Sequence, residues 1–219
     1  MTGKIIRICY FGDSITYGCG HDGLGVDPSR TWTRLVDEAL KAREQAGTFV
    51  LTANMGVNGE TTRNGLERLK DVYAFRPDVM TIQFGMNDCN CWLTDNGFPR
   101  VNPTSFRFNL KELIDKGTAS GVRRVVLSTN HRIPVARVMP TGQDYNASNA
   151  AYNQIIRDVA AETGAALCDI ERAFGDHSSD RRYFLDENGR WLHLSEAGNA
   201  LYASRILPFV EAALDALST

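Results

Sequence analysis

The chain has 219 residues, which is enough for one sizeable α/β domain and short for two. Its 24 lysines and arginines against 26 acidic residues give a formal net charge of −2, and no basic block is long enough to predict nucleic-acid binding. The longest apolar runs are strand-sized, and the N-terminus shows no export signal. We therefore predict one domain over residues 1–219, cytoplasmic and without a membrane span.

Five apolar runs rich in β-branched residues alternate with helical patterns along the chain. The runs occupy residues 5–10, 49–53, 79–84, 125–128 and 166–170. Helical patterns follow at residues 28–47, 62–73, 102–121 and 147–163, and a closing helix begins after Ser195, with Pro208 suggesting a kink or a late start. This alternation predicts a parallel sheet covered on both faces, with ligand chemistry at the carboxyl ends of the strands.

Residues suited to serine hydrolysis follow several of these strands. Ser14 lies in the Gly12-Asp13-Ser14 turn after the first strand and is the candidate nucleophile, with His193 as the candidate base. The amides of Ser14 and Gly56 and the side-chain amide of Asn87 are candidate donors to an oxyanion. Taken alone, the Gly-Asp-Ser turn is equally explained by ordinary turn chemistry.

Four blocks of the chain together resemble the GDSL, or SGNH, hydrolase family of esterases and lipases. In chain order they are Gly12-Asp13-Ser14-Ile15-Thr16, Gly56-Val57-Asn58-Gly59, Gly85-Met86-Asn87-Asp88 and His193-Leu194-Ser195. The resemblance implies a flavodoxin-like three-layer α/β/α sandwich with a five-stranded parallel sheet. It also implies hydrolysis of esters or thioesters through an acyl-enzyme, with the roles given above and without a metal or another cofactor.

One position departs from the family pattern. An aspartate usually lies three residues before the histidine, and here that position is Arg190, which cannot accept a bond from an imidazole. A hairpin turn centred on Asn188-Gly189 would place Asp186 opposite Trp191 and diagonal to His193, within marginal reach. Three readings stay open: Asp186 as the substitute acid, a dyad of Ser14 and His193, or a site that binds without turnover.

Several further residues are candidates for substrate contact. They are Asp13, Asn58, Asp88, Trp92 and His131. Each has a plainer explanation, because loop carboxylates bind loop amides, an aromatic side chain can pack its own loop, and a histidine at a strand end often packs or forms hydrogen bonds. His21 and His177 are expected at the surface. Cys89 and Cys91 lack the second ligand pair that a zinc site needs, so we expect no metal.

The leading functional hypothesis is a serine esterase acting on a small-molecule acyl ester, with acetyl groups on sugars or small alcohols favoured over long lipids. Thioesters and lysophospholipids stay open. The first rival is a non-catalytic binding protein on the same scaffold that lost its acid at position 190. The second rival is a flavodoxin-like module that holds phosphate with Gly12-Asp13-Ser14. The second rival does not need Asn87 or His193.

Overall fold

The structure is a computed structural model that describes residues 4–19, 26–41 and 48–218. One sheet of parallel strands has the order β2-β1-β3-β4-β5. The strands are β1 (Lys4–Gly12), β2 (Thr48–Gly56), β3 (Val79–Gln83), β4 (Arg124–Ser128) and β5 (Ala166–Cys168). Gly12 pairs with both Gly56 and Gln83, so the carboxyl ends of the three strands that precede the first three motif blocks lie side by side.

Helices cover both faces of the sheet. They are α1 (Ser14–Tyr17), α2 (Trp32–Lys41), α3 (Thr62–Glu67), α4 (Leu69–Phe75), α5 (Pro103–Ala119), α6 (Tyr145–Thr163), α7 (Ile170–Phe174) and α8 (Glu196–Ser218). Right-handed crossovers place α2 on one face and α3 to α6 on the other, because the strand order reverses direction after β2. Helix α8 packs against α2. The predicted three-layer sandwich is confirmed.

No helix within the described residues is both long and apolar enough to cross a bilayer.

Some element boundaries differ from the sequence prediction, and others agree with it. The helix expected at 62–73 divides at Arg68, whose backbone leaves the helical region and whose guanidinium donates to the carbonyls of Gly12 and Met55. Strand β5 ends two residues early because Asp169 caps α7, accepting from the Arg172 amide at 3.2 Å. Helix α8 begins after Ser195 as expected and continues through Pro208 to its end.

Trp32 connects the packed core to the turn that carries Ser14. Its indole is fully buried, stacks on Tyr202 with ring centres 4.8 Å apart, and meets Tyr10 edge-on at 5.2 Å. The indole Nε1 donates to the Ile15 carbonyl at 2.8 Å, and the Trp32 amide donates to Asn199 Oδ1 at 2.9 Å. A buried aromatic with satisfied donors is a rigid anchor, so α1 is fixed against α2 and α8.

Candidate active site

Ser14 is the first residue of α1, two residues beyond the end of β1. Asp13 Oδ1 accepts a hydrogen bond of 2.9 Å from the Ile15 amide, which caps this short helix. Gly12 is required for the turn, since a Cβ there would lie 2.2 Å from Thr16 Oγ1. Ser14 keeps 6% of its surface exposed, so its hydroxyl is held at the carboxyl edge of the sheet with little freedom.

His193 lies between the Ser14 hydroxyl and a carboxylate. Its Nε2 is 2.9 Å from Ser14 Oγ, although 179 residues separate the two positions in the chain. Its Nδ1 is 2.6 Å from Glu187 Oε1, and its backbone amide donates to Glu187 Oε2 at 3.3 Å. An imidazole held in this way can take the hydroxyl proton while the carboxylate stabilises the resulting positive charge.

The carboxylate that faces His193 belongs to Glu187, and the expectation for Asp186 is wrong. Asp186 Oδ1 instead accepts from the Gly189 amide at 2.8 Å within the turn. The predicted turn does form, with positive φ angles of 58° at Asn188 and 81° at Gly189. Glu187 stands at the first position of this turn, and its longer side chain reaches back to the imidazole.

The segment that follows this turn, residues 190–194 and here called the return arm, explains why the prediction for Asp186 failed. A two-residue hairpin would pair Phe184 with His193, whereas an antiparallel bridge pairs Phe184 with Leu194. The arm therefore contains one additional residue, and Trp191 adopts a φ of 51° there. Because a shift of one residue exchanges the two faces of a strand, Asp186 does not share a face with His193. Glu187 could have been found by considering every carboxylate around the turn.

The electrostatics of the pair favour a charged imidazole. Burial opposes the charge, but the Cys19 side chain and the Glu187 carboxylate outweigh it and raise the pKa of His193 to about 9. Burial alone would raise the pKa of Glu187, and the hydrogen bonds and charge of His193 lower it below its usual value. The Glu187 side chain is 7% exposed, so solvent screens this interaction only weakly.

The amide of Gly56 is not available to an oxyanion, which corrects the second donor prediction. It donates to Asn54 Oδ1 at 2.9 Å. A Cβ at this position would lie 2.1 Å from the Tyr17 backbone nitrogen, so glycine is required for packing beneath α1 rather than for approach of a substrate. Gly56 therefore supports the turn that carries Ser14 but does not contribute a donor.

Gly59, three residues further on, has the properties that were expected of Gly56. Its φ is 76°, a Cβ there would meet no atom within 4 Å, and its amide has no acceptor among the described residues. Its carbonyl accepts from Arg100 Nη1 at 2.8 Å, which fixes the peptide plane on that side. The sequence alone does not separate the two glycines of the second motif block, because only the backbone shows that the later one has a positive φ.

Asn87 lies next to this loop and next to the Ser14 turn. Its Nδ2 donates to the Glu60 carbonyl at 2.9 Å and makes a longer contact of 3.4 Å with Asp13 Oδ2. The side chain is 6% exposed. Asn87 therefore connects the first motif block to the residue that follows the second block. Of its two hydrogen bonds, the longer one to Asp13 is the one that an oxyanion could replace more easily.

Asp13 and Asp88 are fully buried and hold loops together, so neither has a surface on which to contact a substrate. Burial raises the pKa of Asp13 to about 7 and that of Asp88 to about 6. Asp88 Oδ1 accepts from the Thr62 amide at 2.9 Å and thereby fixes the start of α3. The plainer explanation, in which these carboxylates bind loop amides, fits the structure.

The remaining candidates lie in different surroundings. Asn58 is exposed beside Gly59. Trp92 is 45% exposed, and the Arg100 guanidinium lies 3.9 Å from its ring centre. His131 is fully buried and therefore makes no substrate contact. The prediction for His21 lies outside the described residues. No cluster of three potential metal-ligating side chains occurs in the parts of the chain that the structure describes.

Comparison with known proteins gives the family. A model of the GDSL-like lipase/acylhydrolase family matches residues 10–201, and a search of curated proteins finds no match. The fold is similar to that of a lipase/acylhydrolase from Enterococcus faecalis, at 25% identity and a TM-score of 0.72, covering 94% of this chain and 96% of that one.

Two further solved structures have the same fold. LAE5, an α/β hydrolase from the metagenome of Lake Arreo, is 25% identical over 93% of this chain and 94% of its own, with a TM-score of 0.73. Axe2, an acetylxylan esterase from Geobacillus stearothermophilus, is 22% identical over 94% of each chain, with a TM-score of 0.72. The family model covers most of the sequence, and the chain therefore belongs to the GDSL-like lipase/acylhydrolase family of ester hydrolases.

Proposed function

We propose that the protein hydrolyses short-chain carboxylic esters with Ser14 as nucleophile, His193 as general base and Glu187 as the carboxylate that orients the imidazole. The single observation that carries this proposal is the position of His193, with Nε2 at 2.9 Å from Ser14 Oγ and Nδ1 at 2.6 Å from Glu187 Oε1. Hydroxyl, imidazole and carboxylate in this order constitute the arrangement that activates a serine.

The reaction begins when His193 takes the Ser14 proton as Oγ attacks the acyl carbon, which produces a tetrahedral oxyanion. The amides of Ser14 and Gly59 and the Nδ2 group of Asn87 are its proposed donors. Ser14 and Gly59 have amides without an acceptor among the described residues. The imidazolium then protonates the leaving alkoxide, the C–O bond breaks, and an acyl-enzyme forms. Water attacks this ester with His193 again as base, which releases the acid and restores Ser14.

A small acyl group is the substrate that this site favours. Ser14 and Asn87 are each 6% exposed, so little space is open directly beside them. An acetyl group needs less space than a long chain. The fold likeness to Axe2, named as an acetylxylan esterase, supports acetyl esters of sugars.

A single domain over residues 1–219 and a cytoplasmic location stay predictions, the latter supported by five unpaired cysteines.

The rival hypothesis of a non-catalytic binding protein loses the observation that motivated it. It rested on the absence of an acid at position 190. Arg190 Nε donates to the Glu187 carbonyl at 3.2 Å, and the Glu187 side chain supplies the carboxylate at His193. No contact in the described residues favours binding without turnover.

The test is hydrolysis of p-nitrophenyl acetate by the wild type, by Ser14→Ala and by Ser204→Ala. Ser204 is an exposed serine of α8 and serves as the matched control. We expect the wild type and Ser204→Ala to hydrolyse the ester at the same rate and Ser14→Ala to lose turnover. A fluorophosphonate should add once, at Ser14, by mass spectrometry. Full turnover by Ser14→Ala, or labelling at another residue, would overturn the proposal.

A further inference from the structure

His131 is fully buried where the chain leaves β4, at the same sheet edge as Ser14. Its Nε2 lies 2.9 Å from the carbonyl oxygen of Leu192, the residue immediately before His193. We propose that His131 is a positioning residue, which holds the backbone at Leu192 and thereby sets the His193 imidazole relative to Ser14 Oγ. This inference rests on the proposed function and deepens it.

The hydrogen bond defines the tautomer of His131. A carbonyl oxygen only accepts, so Nε2 carries the proton and Nδ1 is the acceptor nitrogen. Burial lowers the pKa of this ring to about 4, which keeps it neutral across the physiological range. His131 can therefore donate to Leu192 without placing a second positive charge beside His193.

Packing alone does not account for a histidine at this position. The ring lies between Phe174 and Phe184, with ring centres 5.5 Å away in each case. Its Nδ1 is buried without a hydrogen-bond partner among the described residues, and leaving a buried acceptor unsatisfied destabilises the folded state. A phenylalanine could fill much of the same space with no unpaired atom. The Nε2 donor is what the histidine adds.

Two of the hydrogen bonds between described residues join the segment that carries His193 to the carboxyl edge of the sheet. One joins His193 Nε2 to Ser14 Oγ, and the other joins His131 Nε2 to the Leu192 carbonyl. The first must rearrange during the reaction, because the proton that it carries moves and Oγ becomes acylated. The second involves no reacting atom and persists throughout. His131 thus supplies a fixed connection from the sheet to the base during turnover.

The experiment compares three substitutions of the buried ring in the full chain. His131→Phe and His131→Met keep apolar volume but remove the donor, whereas His131→Gln retains an N–H near the position of Nε2. His177→Phe, at an exposed histidine that contacts Tyr183, is the matched control for exchanging a histidine for a phenylalanine. Steady-state kinetics with p-nitrophenyl acetate and the downfield proton resonance of His193 Nδ1 are the two readouts.

We expect His131→Phe and His131→Met to lower kcat about 10- to 100-fold with KM changed less than about twofold, because a displacement of about 1 Å at a reacting group can cost 10²-fold. The Nδ1 resonance should broaden or move upfield in both. His131→Gln should recover kcat to within about threefold and restore the resonance. His177→Phe should match the wild type in both readouts.

Two results would overturn the inference. The first is kcat and an Nδ1 resonance in folded His131→Phe or His131→Met equal to those of the wild type. The second is His131→Gln impaired as much as the variants without a donor, because the donor would then not be the active feature. The resonance is observable without turnover. A wild type that neither hydrolyses esters nor reacts with a fluorophosphonate would therefore count against the proposed function, while the resonance would still decide the role of His131.

Discussion

The two halves of the candidate site are built in different ways. Ser14 stands on regular structure: β1 ends in register with β2 and β3, and Trp32 anchors the following turn to the core. His193 stands on residues 181–195, where an isolated bridge and three positive φ angles replace regular pairing. Regular strand pairing therefore positions the nucleophile, whereas an irregular turn and the Glu187 carboxylate position the base. Substitutions near Ser14 should cost stability first, and those near His193 should cost activity first.

The largest effect on kcat is expected from changing Glu187, the carboxylate in the half that carries His193. Glu187→Gln should lower kcat about 10²–10⁴-fold with little loss of stability, because in a serine-protease triad the corresponding loss of the correct tautomer costs about 10⁴. Asp186→Asn is the neighbouring control and should retain turnover within about twofold, since among the described residues Asp186 binds the Gly189 amide and not the imidazole. Steady-state kinetics with circular dichroism checks both. A large loss in Asp186→Asn with normal Glu187→Gln would reverse the assignment.

A smaller effect on kcat is expected from removing Asn87, a proposed donor to the oxyanion. Asn87→Ala should lower kcat about 10²–10³-fold, or about 2.7–4 kcal/mol, the range found when an oxyanion donor is removed. Gln154→Ala, at an exposed amide side chain of α6, is the control and should leave kcat almost unchanged. The comparison is made at saturating p-nitrophenyl acetate. Equal rates for Asn87→Ala and the wild type would remove Asn87 from the donor set.

The smallest effects are on the free energy of unfolding, and they compare the half that carries Ser14 with the half that carries His193. Trp32→Phe removes the donor to the Ile15 carbonyl and should lower the free energy of unfolding by about 1–3 kcal/mol. Trp191→Phe, in the half that carries His193, alters a half-buried ring beside Arg181 and should cost about 0.5 kcal/mol or less. Urea denaturation measures both. A larger loss for Trp191→Phe would contradict the division between the halves.

The predictable part of the molecule is the part that follows local periodicity. Alternating strands and helices predict the parallel sheet, and the strand ends at Gly12 and Gln83 put Ser14 and Asn87 at one edge. Ser14 and His193 were both selected from the motif blocks, and the structure brings them together.

The features that the sequence did not predict depend on how far a side chain reaches and on which residues have a positive φ. Glu187 was missed because the return arm holds one residue more than a tight hairpin, and no pattern in the sequence marks Trp191 for a positive φ. Gly56 and Gly59 look alike in the sequence, and only the backbone distinguishes the glycine that packs under α1 from the one with a free amide. His131 was a candidate for substrate contact, with packing or hydrogen bonding as the alternative, and its full burial and its hydrogen bond to Leu192 fit the alternative.

The central claim, that Glu187 orients His193 and contributes to the raised pKa of its imidazole, is tested most directly by the pH dependence of kcat/KM. Neutral His193 is the active base, and its pKa is raised to about 9, so the rate should increase about tenfold per pH unit below that value and level off above it. Glu187→Gln removes a group that favours the imidazolium, so its weaker activity should level off at lower pH, while Asp186→Asn should follow the wild type. A profile that keeps its position in Glu187→Gln, or moves in Asp186→Asn, would contradict the account.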